Sequence, residues 1–496
     1  MTHIVFEDPN ISTTGTFAIN GFNVTAPIFT SSNVSDIMRS VQANSGRYFA
    51  SNPAPFEAIA RSLALWTNMD YGLRQKALPI LADITQFSQP NIVCYGLKPL
   101  ERVRFAPEQI LELPKHLTQL VETGQYRRYS EWGEGYLKGY GIPKVIQYDS
   151  PKTIVQILAG NVVGPPWLTA SLGAVAGSSQ LIKLPHRDLV SFMFYLQTLG
   201  EVDPDFRKTI ACGYFASIDN VNDQLFKNSG VIIAMGSDET MDIIRGRLSQ
   251  ANPKSRLIPH GFRIGFQAIG KEYATSEVAE LAAWGIAAYD GNGCFSPANL
   301  YIETGGQLTP QQFAEELASH MQSIAVLIPP KKTIAAAERV TSYRNAQMQR
   351  RLLGENIHVA KSTNTDYTIV IDNENPLLEP TCQERTVMVK PIDDIRHVPE
   401  YVKHLAQNLQ TVGLCVPTDT ILEVSDELCN VGVTNVKIVG MEHTIDIIEP
   451  HDGLFDIAQM FLSDGVRWTS IGFSDTDKAL DDALRVKNDC LRSLPA

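Results

Sequence analysis

Residues 153–185 read TIVQILAGNVVGPPWLTASLGAVAGSSQLIKLP. Two apolar runs, TIVQILAG and SSQLIKLP, are short enough for strands and close on Gly or Pro, with the small-residue stretch PPWLTASLGAVAG between them. The same rhythm continues downstream, where SFMFYLQTLG reads as a helix, NSGVIIAMG as a strand ending ahead of Gly and Ser, and DETMDIIRGRL as a helix. Strands alternating with helices predict a mainly parallel sheet covered on both faces, and such sheets bind ligands beyond the carboxyl ends of their strands.

A second α/β unit begins near Ser276, with the helical SEVAELAAWGIAAY, the segment GNGCFSPANLYIE, and a helix opening at Thr309-Pro310 with a suitable cap and an N1 proline. DNENPLLEPTC reads as a loop, followed by strand VMVKPI and helix VPEYVKHLAQNL. Upstream, FAINGFNVTAPIF marks residues 1–50 as short strands and turns. From about Ala54 to Leu120, PFEAIARSLALWTNM and LRQKALPILADITQF carry apolar residues at helical spacing.

Composition sets the outer limits. The 496 residues are 44% hydrophobic and 19% charged, ordinary for a globular chain with sizeable cores. A net charge of −12 disfavours nucleic acid, whose phosphates are bound by clustered Lys and Arg. Seven cysteines with no C-x-x-C pair suggest neither a disulfide framework nor a zinc site, and no metal is expected. There is no positive n-region followed by an apolar h-region, and no run of about 18 apolar residues, so a soluble cytoplasmic protein without a membrane span is expected.

The candidate chemistry centres on Asp290-Gly291-Asn292-Gly293-Cys294-Phe295-Ser296-Pro297, where glycines let a ligand approach the backbone and Pro297 stops a helix. That setting suits an accessible thiol. The alternative is a small buried cysteine in a Gly-rich turn. G-N-G-C-F-S-P resembles the nucleophile loop of aldehyde dehydrogenases, and more closely that of the LuxC-like acyl-CoA reductases, the fatty acid reductase subunits of bacterial bioluminescence. Other segments match in the same order. Leu158-Ala159-Gly160-Asn161-Val162 resembles the motif whose Asn helps to form the family's oxyanion hole. Leu181-Ile182-Lys183-Leu184-Pro185 resembles the strand that places a lysine on the cofactor's ribose, and Met235-Gly236-Ser237 the turn that caps a helix by the pyrophosphate. His451-Asp452-Gly453 resembles an H-D-G motif of the luciferase-system reductases.

The resemblance, spanning roughly residues 154–462, implies an aldehyde dehydrogenase-like α/β fold with a Rossmann-like cofactor domain, an α/β catalytic domain and a small β arm for oligomerisation. KVIQYD and TIVQIL are placed in that arm. The expected division is residues 1–275 for the helical N-terminal region and cofactor domain, 276–445 for the catalytic domain, and 446–496 for a return to the cofactor domain and a C-terminal arm. Cys294, Asn161 and His451 are the expected catalytic residues, with His451 meeting Cys294 across the cleft. Lys183, His186, Gly236 and Ser237 are the expected cofactor-binding residues. His186 and Arg187, close after Lys183, favour NADPH over NADH by offering to surround a 2′-phosphate. Acyl-CoA or acyl carrier protein is the expected substrate, and a homo-oligomer with an acyl-transferring partner enzyme the expected assembly.

One departure from the family pattern gives the direction of the reaction. Aldehyde-oxidising members carry a general-base Glu in an E-L-G-G stretch, and the corresponding segment here is Pro259-His260-Gly261-Phe262. Without that Glu, an acyl-enzyme is protected from water and left for hydride, so reduction of an acyl thioester to an aldehyde is expected. His260 as a base, a cysteine acyltransferase or thioesterase, an aldehyde-oxidising dehydrogenase and a silent scaffold subunit stand as the alternatives.

Overall fold

The computed structural model describes residues 2–51, 56–102, 151–216, 219–445, 449–461, 470–471 and 475–494. Near the N-terminus, β1 (Thr2–Val5), β2 (Thr14–Ile19) and β3 (Phe22–Pro27) form a small sheet of order β1-β3-β2, with β2 and β3 paired as a hairpin around Asn20-Gly21. The predicted helices follow as Phe56–Thr67 and Gly72–Thr85. Trp66 of the first packs 4.7 Å from Trp167, and Trp167 stacks on Tyr195, which fastens this region to the central unit.

That unit is a five-stranded parallel sheet made of β4 (Thr153–Ile157), β5 (Ser179–Lys183), β6 (Ile210–Gly213), β7 (Val231–Met235) and β8 (Arg256–His260). Its order, β6-β5-β4-β7-β8, starts in the middle and reverses between β4 and β7, the switch point at which doubly wound sheets open a crevice. Every residue of β4 is buried, as expected of a strand covered on both faces. TIVQIL is therefore the centre of this sheet and not part of an arm, because both of its edges carry parallel ladders. KVIQYD, residues 144–149, lies outside the described residues.

The second large sheet has eight strands: β9 (Ile264–Ile269), β10 (Pro297–Glu303), β11 (Ile357–Lys361), β12 (Thr368–Asp372), β13 (Thr386–Ile392), β14 (Leu409–Cys415), β15 (Asn435–Ile438) and β16 (Ser470–Ile471). The order is β11-β12-β13-β10-β9-β14-β15-β16, parallel except for the β11–β12 pair. Its first strand precedes the boundary drawn at residue 276, since β9 pairs with both β10 and β14. Only residues 261–263 separate β8 from β9, so the carboxyl end of the first sheet lies beside the amino ends of the second.

The C-terminal part divides between the two units. Helix Asp456–Phe461 packs against β8 and helix Thr169–Ala176, on the cofactor side, whereas β16 pairs with β15. Helix Thr476–Arg492 is no arm, because it packs on helix Ser276–Ala287 and β15 and buries Ala483, Val486 and Cys490. VPEYVKHLAQNL also differs from its helical reading. Val398–Val402 is helical, a 3-10 turn covers Lys403–Leu405, and Leu409 already opens β14, whose alternate apolar residues are needed in the sheet. Among the described residues no helix is long and apolar enough to cross a membrane.

Candidate active site

A cavity of about 1230 Å³ lies between the two large sheets, lined by the segments after β4, β5, β7 and β8, by the segment leading into β10, by residues of β14 and β15, and by the segment after β15. Cys294, Asn161, His451, His186, Gly236 and Ser237 all line it.

Helix Ser276–Ala287 leads into the Cys294 loop and then stops sharply, with Tyr289 (φ 49°), Asp290 (φ 54°) and Gly291 (φ 74°) all left-handed. The first two are not glycines, so each costs about 1–2 kcal/mol of local strain. A second left-handed run, Gln383, Glu384 and Arg385, faces the first. Arg385 is wholly buried and grips Asp290 at 2.6 and 2.9 Å, and its backbone N–H donates to the Asp290 carbonyl at 2.9 Å. The Tyr289 hydroxyl donates to the Val163 carbonyl at 2.7 Å, tying the loop to the Asn161 segment. The turn holds half-buried Cys294 at the cavity wall.

Asn161 is exposed in the cavity, and its Nδ2 donates to the Asn292 carbonyl at 3.1 Å, two residues from Cys294. One side-chain N–H is thus anchored on the Cys294 loop, and the amide has a second N–H to donate.

His451 is within hydrogen-bonding reach of Cys294 and stacks on His260 at 3.7 Å with 15° between the rings. His260 Nδ1 is 3.0 Å from Asp452, its Nε2 is 3.2 Å from Asp456, and His451 Nδ1 is 3.7 Å from Asp456. Gln410 closes the ring, with Nε2 donating to the Asp452 carboxylate and standing 3.5 Å from Cys294 Sγ. Arg263 lies 3.5 Å from Asp452.

Two imidazoles facing two carboxylates settle the charges. Burial pulls His451 down, but Asp452, Asp456 and Cys294 together hold it well above its ordinary 6.5. Burial and His451 pull His260 down, yet Asp456 and Asp452 leave it raised. Burial opposes ionisation of both aspartates, but the facing histidines hold both well below the usual carboxylate range. Asp456 and Asp452 thus shift His260 toward its protonated form, which cannot take a proton from water. His260, His451 and Asp456 bring candidate ligand atoms within 4.8 Å of one another. The stacked rings direct their lone pairs in nearly parallel planes, so the group suits shared protons better than a converging metal shell.

On the other side of the cavity, Ser237 caps the 14-residue helix Asp238–Ala251 by accepting from Thr240 N–H, and Gly236 donates to the His260 carbonyl at 3.0 Å. The Asp238 carboxylate in the first turn is engaged by the Phe262 N–H and by Asn408. A capped helix N-terminus at the carboxyl end of a parallel sheet suits a dinucleotide pyrophosphate. His186 and Arg187 are exposed at the end of β5 and line the cavity. Lys183 stands apart from them: it does not line the cavity, burial lowers its pKa, and its ammonium lies over the Tyr214 and Phe215 rings at 5.9 and 5.3 Å.

Gln410, Asp456 and the Arg385–Asp290 pair were not found by sequence reasoning. Asp456 alone had a nearby signal, falling one helical turn beyond the His451-Asp452-Gly453 motif.

The sequence profile of the acyl-CoA reductase (LuxC) family matches residues 56–463. A long-chain acyl-protein thioester reductase from Photorhabdus laumondii is 22% identical over 340 residues, covering 67% of this chain and 66% of that protein. Among solved structures, the Δ-pyrroline-5-carboxylate dehydrogenase of Mycobacterium tuberculosis superposes with a TM-score of 0.63 at 10% identity, over 96% of this chain and 91% of its own. The methylmalonate-semialdehyde dehydrogenase of Oceanimonas doudoroffii gives 0.62 at 14% identity, over 95% and 99%. Aldehyde dehydrogenase 21 of Physcomitrella patens gives 0.60 at 10% identity, over 97% and 96%. At such identities these likenesses speak for the fold, which is aldehyde dehydrogenase-like.

Proposed function

The chain belongs to the LuxC family of acyl-CoA reductases, and we propose that it reduces an acyl thioester, carried by CoA or an acyl carrier protein, to an aldehyde with NADPH through an acyl-Cys294 intermediate. The observation that carries this reading is the single cavity wall on which Cys294, Asn161 and His451 meet, with the neighbouring Asp452 and Asp456 raising the pKa of His451. A positive ring is the natural partner of a thiolate, the form that attacks.

In the first half-reaction the Cys294 sulfur attacks the thioester carbonyl carbon, and the free N–H of Asn161 faces the oxyanion that forms. The bond between that carbon and the carrier sulfur then breaks. The carrier leaves as a thiol with the proton from His451.

A nicotinamide cofactor, which the Gly236-Ser237 helix terminus, His186 and Arg187 would hold, would supply the hydride. The acyl-Cys carbonyl carbon accepts it while Asn161 again faces the oxyanion. The carbon–sulfur bond to Cys294 breaks, the aldehyde departs, and the sulfur returns to His451, which regains its proton from solvent. One hydride and one proton are consumed per thioester. Asp456 and Asp452 raise the pKa of His260 and so favour its protonated form, which cannot take a proton from water, and this supports reduction over hydrolysis or aldehyde oxidation.

Within this reading Arg187 and His186 carry the preference for a 2′-phosphate, and Lys183 has a smaller share than the sequence assigned to it. Initial rates measured over a grid of thioester and NADPH concentrations test the scheme. Parallel reciprocal plots with aldehyde and free carrier thiol in equal amounts are expected. Thioester cleavage without nicotinamide oxidation would instead identify a thioesterase.

A further inference from the structure

β14 joins its sheet with a slip at the amino end. Its ladder with β9 changes register between Leu409 and Val412, an irregularity of the kind that re-aims a side chain, and the intervening Gln410 lines the cavity. The backbone there is pinned. The Gln410 carbonyl accepts from the Thr434 N–H at 2.9 Å and from the Thr434 hydroxyl at 3.2 Å, and the residue is only 4% exposed.

The two ends of its amide are told apart by their partners. The two histidines and Arg263 hold Asp452 well below the usual carboxylate range against the opposing effect of burial, so its carboxylate only accepts, and the amide end that meets it is the nitrogen. Oε1 is left to the Thr411 hydroxyl at 3.4 Å. Nε2 carries two N–H groups. One is spent on Asp452, and the same nitrogen stands 3.5 Å from Cys294 Sγ, within hydrogen-bonding reach of sulfur.

Two groups therefore face the sulfur, and they differ in kind. His451 parts with its proton in each turnover, whereas an amide N–H does not titrate. We infer that Gln410 is a further catalytic residue, whose second N–H donates to the Cys294 sulfur while it is an anion, both before it attacks the thioester and as it leaves the thiohemiacetal after hydride transfer. It remains a donor through the interval in which His451 is neutral. The inference rests on the reductase reading for these two steps, and on the geometry alone for the contact between amide and sulfur.

The test is alkylation of the whole protein by iodoacetamide, followed by mass on the Cys294 peptide. A sulfur–carbon bond forms and iodide leaves, so no oxyanion arises and the sulfur is probed by itself. Gln410→Met keeps the length of the side chain and removes both N–H groups. Gln410→Glu keeps its shape and carries at most one O–H, which cannot serve Asp452 and the sulfur together. Each variant is expected to slow both alkylation and single-turnover acylation of Cys294 by on the order of 10-fold or more, as for loss of a hydrogen bond to a charged group. Asn161→Ala should slow acylation alone. The loss on alkylation should persist when Gln410→Met is placed in a His451→Gln background. A loss that vanishes there would overturn the inference, because Gln410 would then act through Asp452 on His451, and so would alkylation of either folded variant at the wild-type rate. Slower alkylation of the variants, in a protein whose Cys294 no thioester acylates, would sink the reductase reading and leave the contact between Gln410 and the sulfur standing.

Discussion

Around Cys294, charges are buried and tied to one another: His260 and His451 lie between Asp452 and Asp456, Gln410 bridges Asp452 and the thiol, and Arg385 grips Asp290 beneath the loop. Around Gly236 the elements are a capped helix terminus and the exposed side chains of His186 and Arg187. The first region fixes protonation states and a strained loop, so its members depend on each other. The second offers backbone and independent side chains to a ligand that brings its own charge. A single substitution should therefore disturb the first region strongly and the second mildly.

The largest effect is expected at His451. His451→Gln removes the proton source for the departing carrier thiol and should slow acylation of Cys294 by about 10²- to 10⁴-fold, the usual reach of general acid–base catalysis. Cofactor affinity should hardly change. In the wild type the acylation rate should fall as pH rises through the raised pKa of His451, well above 6.5, because only the protonated ring donates. Asp456→Asn removes one of the charges that raise it and should move that alkaline limb to lower pH. A limb that stays in place would remove Asp456 from the network.

Arg385→Ala should come next. It strands the Asp290 carboxylate under a left-handed turn, at a cost of about 3–5 kcal/mol as for other broken buried pairs, read by denaturant unfolding. The exposed Arg245–Asp242 pair is the control, where Arg245→Ala should cost at most about 1 kcal/mol. Equal costs at the two sites would mean that Arg385 does not hold the loop.

Asn161→Ala should lower turnover by on the order of 10²-fold, as for loss of one oxyanion donor, and should slow acylation as well as reduction. Loss confined to cofactor affinity would move Asn161 out of that role. The smallest effect is expected on the open side, where Arg187→Ala should weaken NADPH by roughly 10-fold relative to NADH through loss of one charge-assisted contact. Equal weakening of both cofactors would assign Arg187 elsewhere.

The same contrast explains what the sequence revealed. The alternating strands and helices, Gly236-Ser237 as a helix cap, and the Thr309-Pro310 helix start were legible because each is a local pattern, and all three occur as read. The family resemblance gave the aldehyde dehydrogenase-like fold and named Cys294, Asn161 and His451, which the fold gathers at one cavity. Gln410 was not legible, because it meets Cys294 across 116 residues and a lone Gln at a strand end carries no pattern. The Arg385–Asp290 clamp spans 95 residues, and no motif announces two left-handed turns packed together. TIVQIL was misplaced in an arm because a buried parallel strand and an arm strand can share the same short apolar run. A strand-end lysine in sequence likewise does not reveal the Tyr214 and Phe215 rings over which Lys183 lies.

The most direct measurement is the mass of the wild-type protein, and of its Cys294 peptide, after brief exposure to a panel of acyl thioesters without reductant. One acyl group is expected on Cys294, released as aldehyde when NADPH is added, with no adduct in Cys294→Ala. An acyl group found on another residue, or aldehyde formed by Cys294→Ala at the wild-type rate, would contradict it.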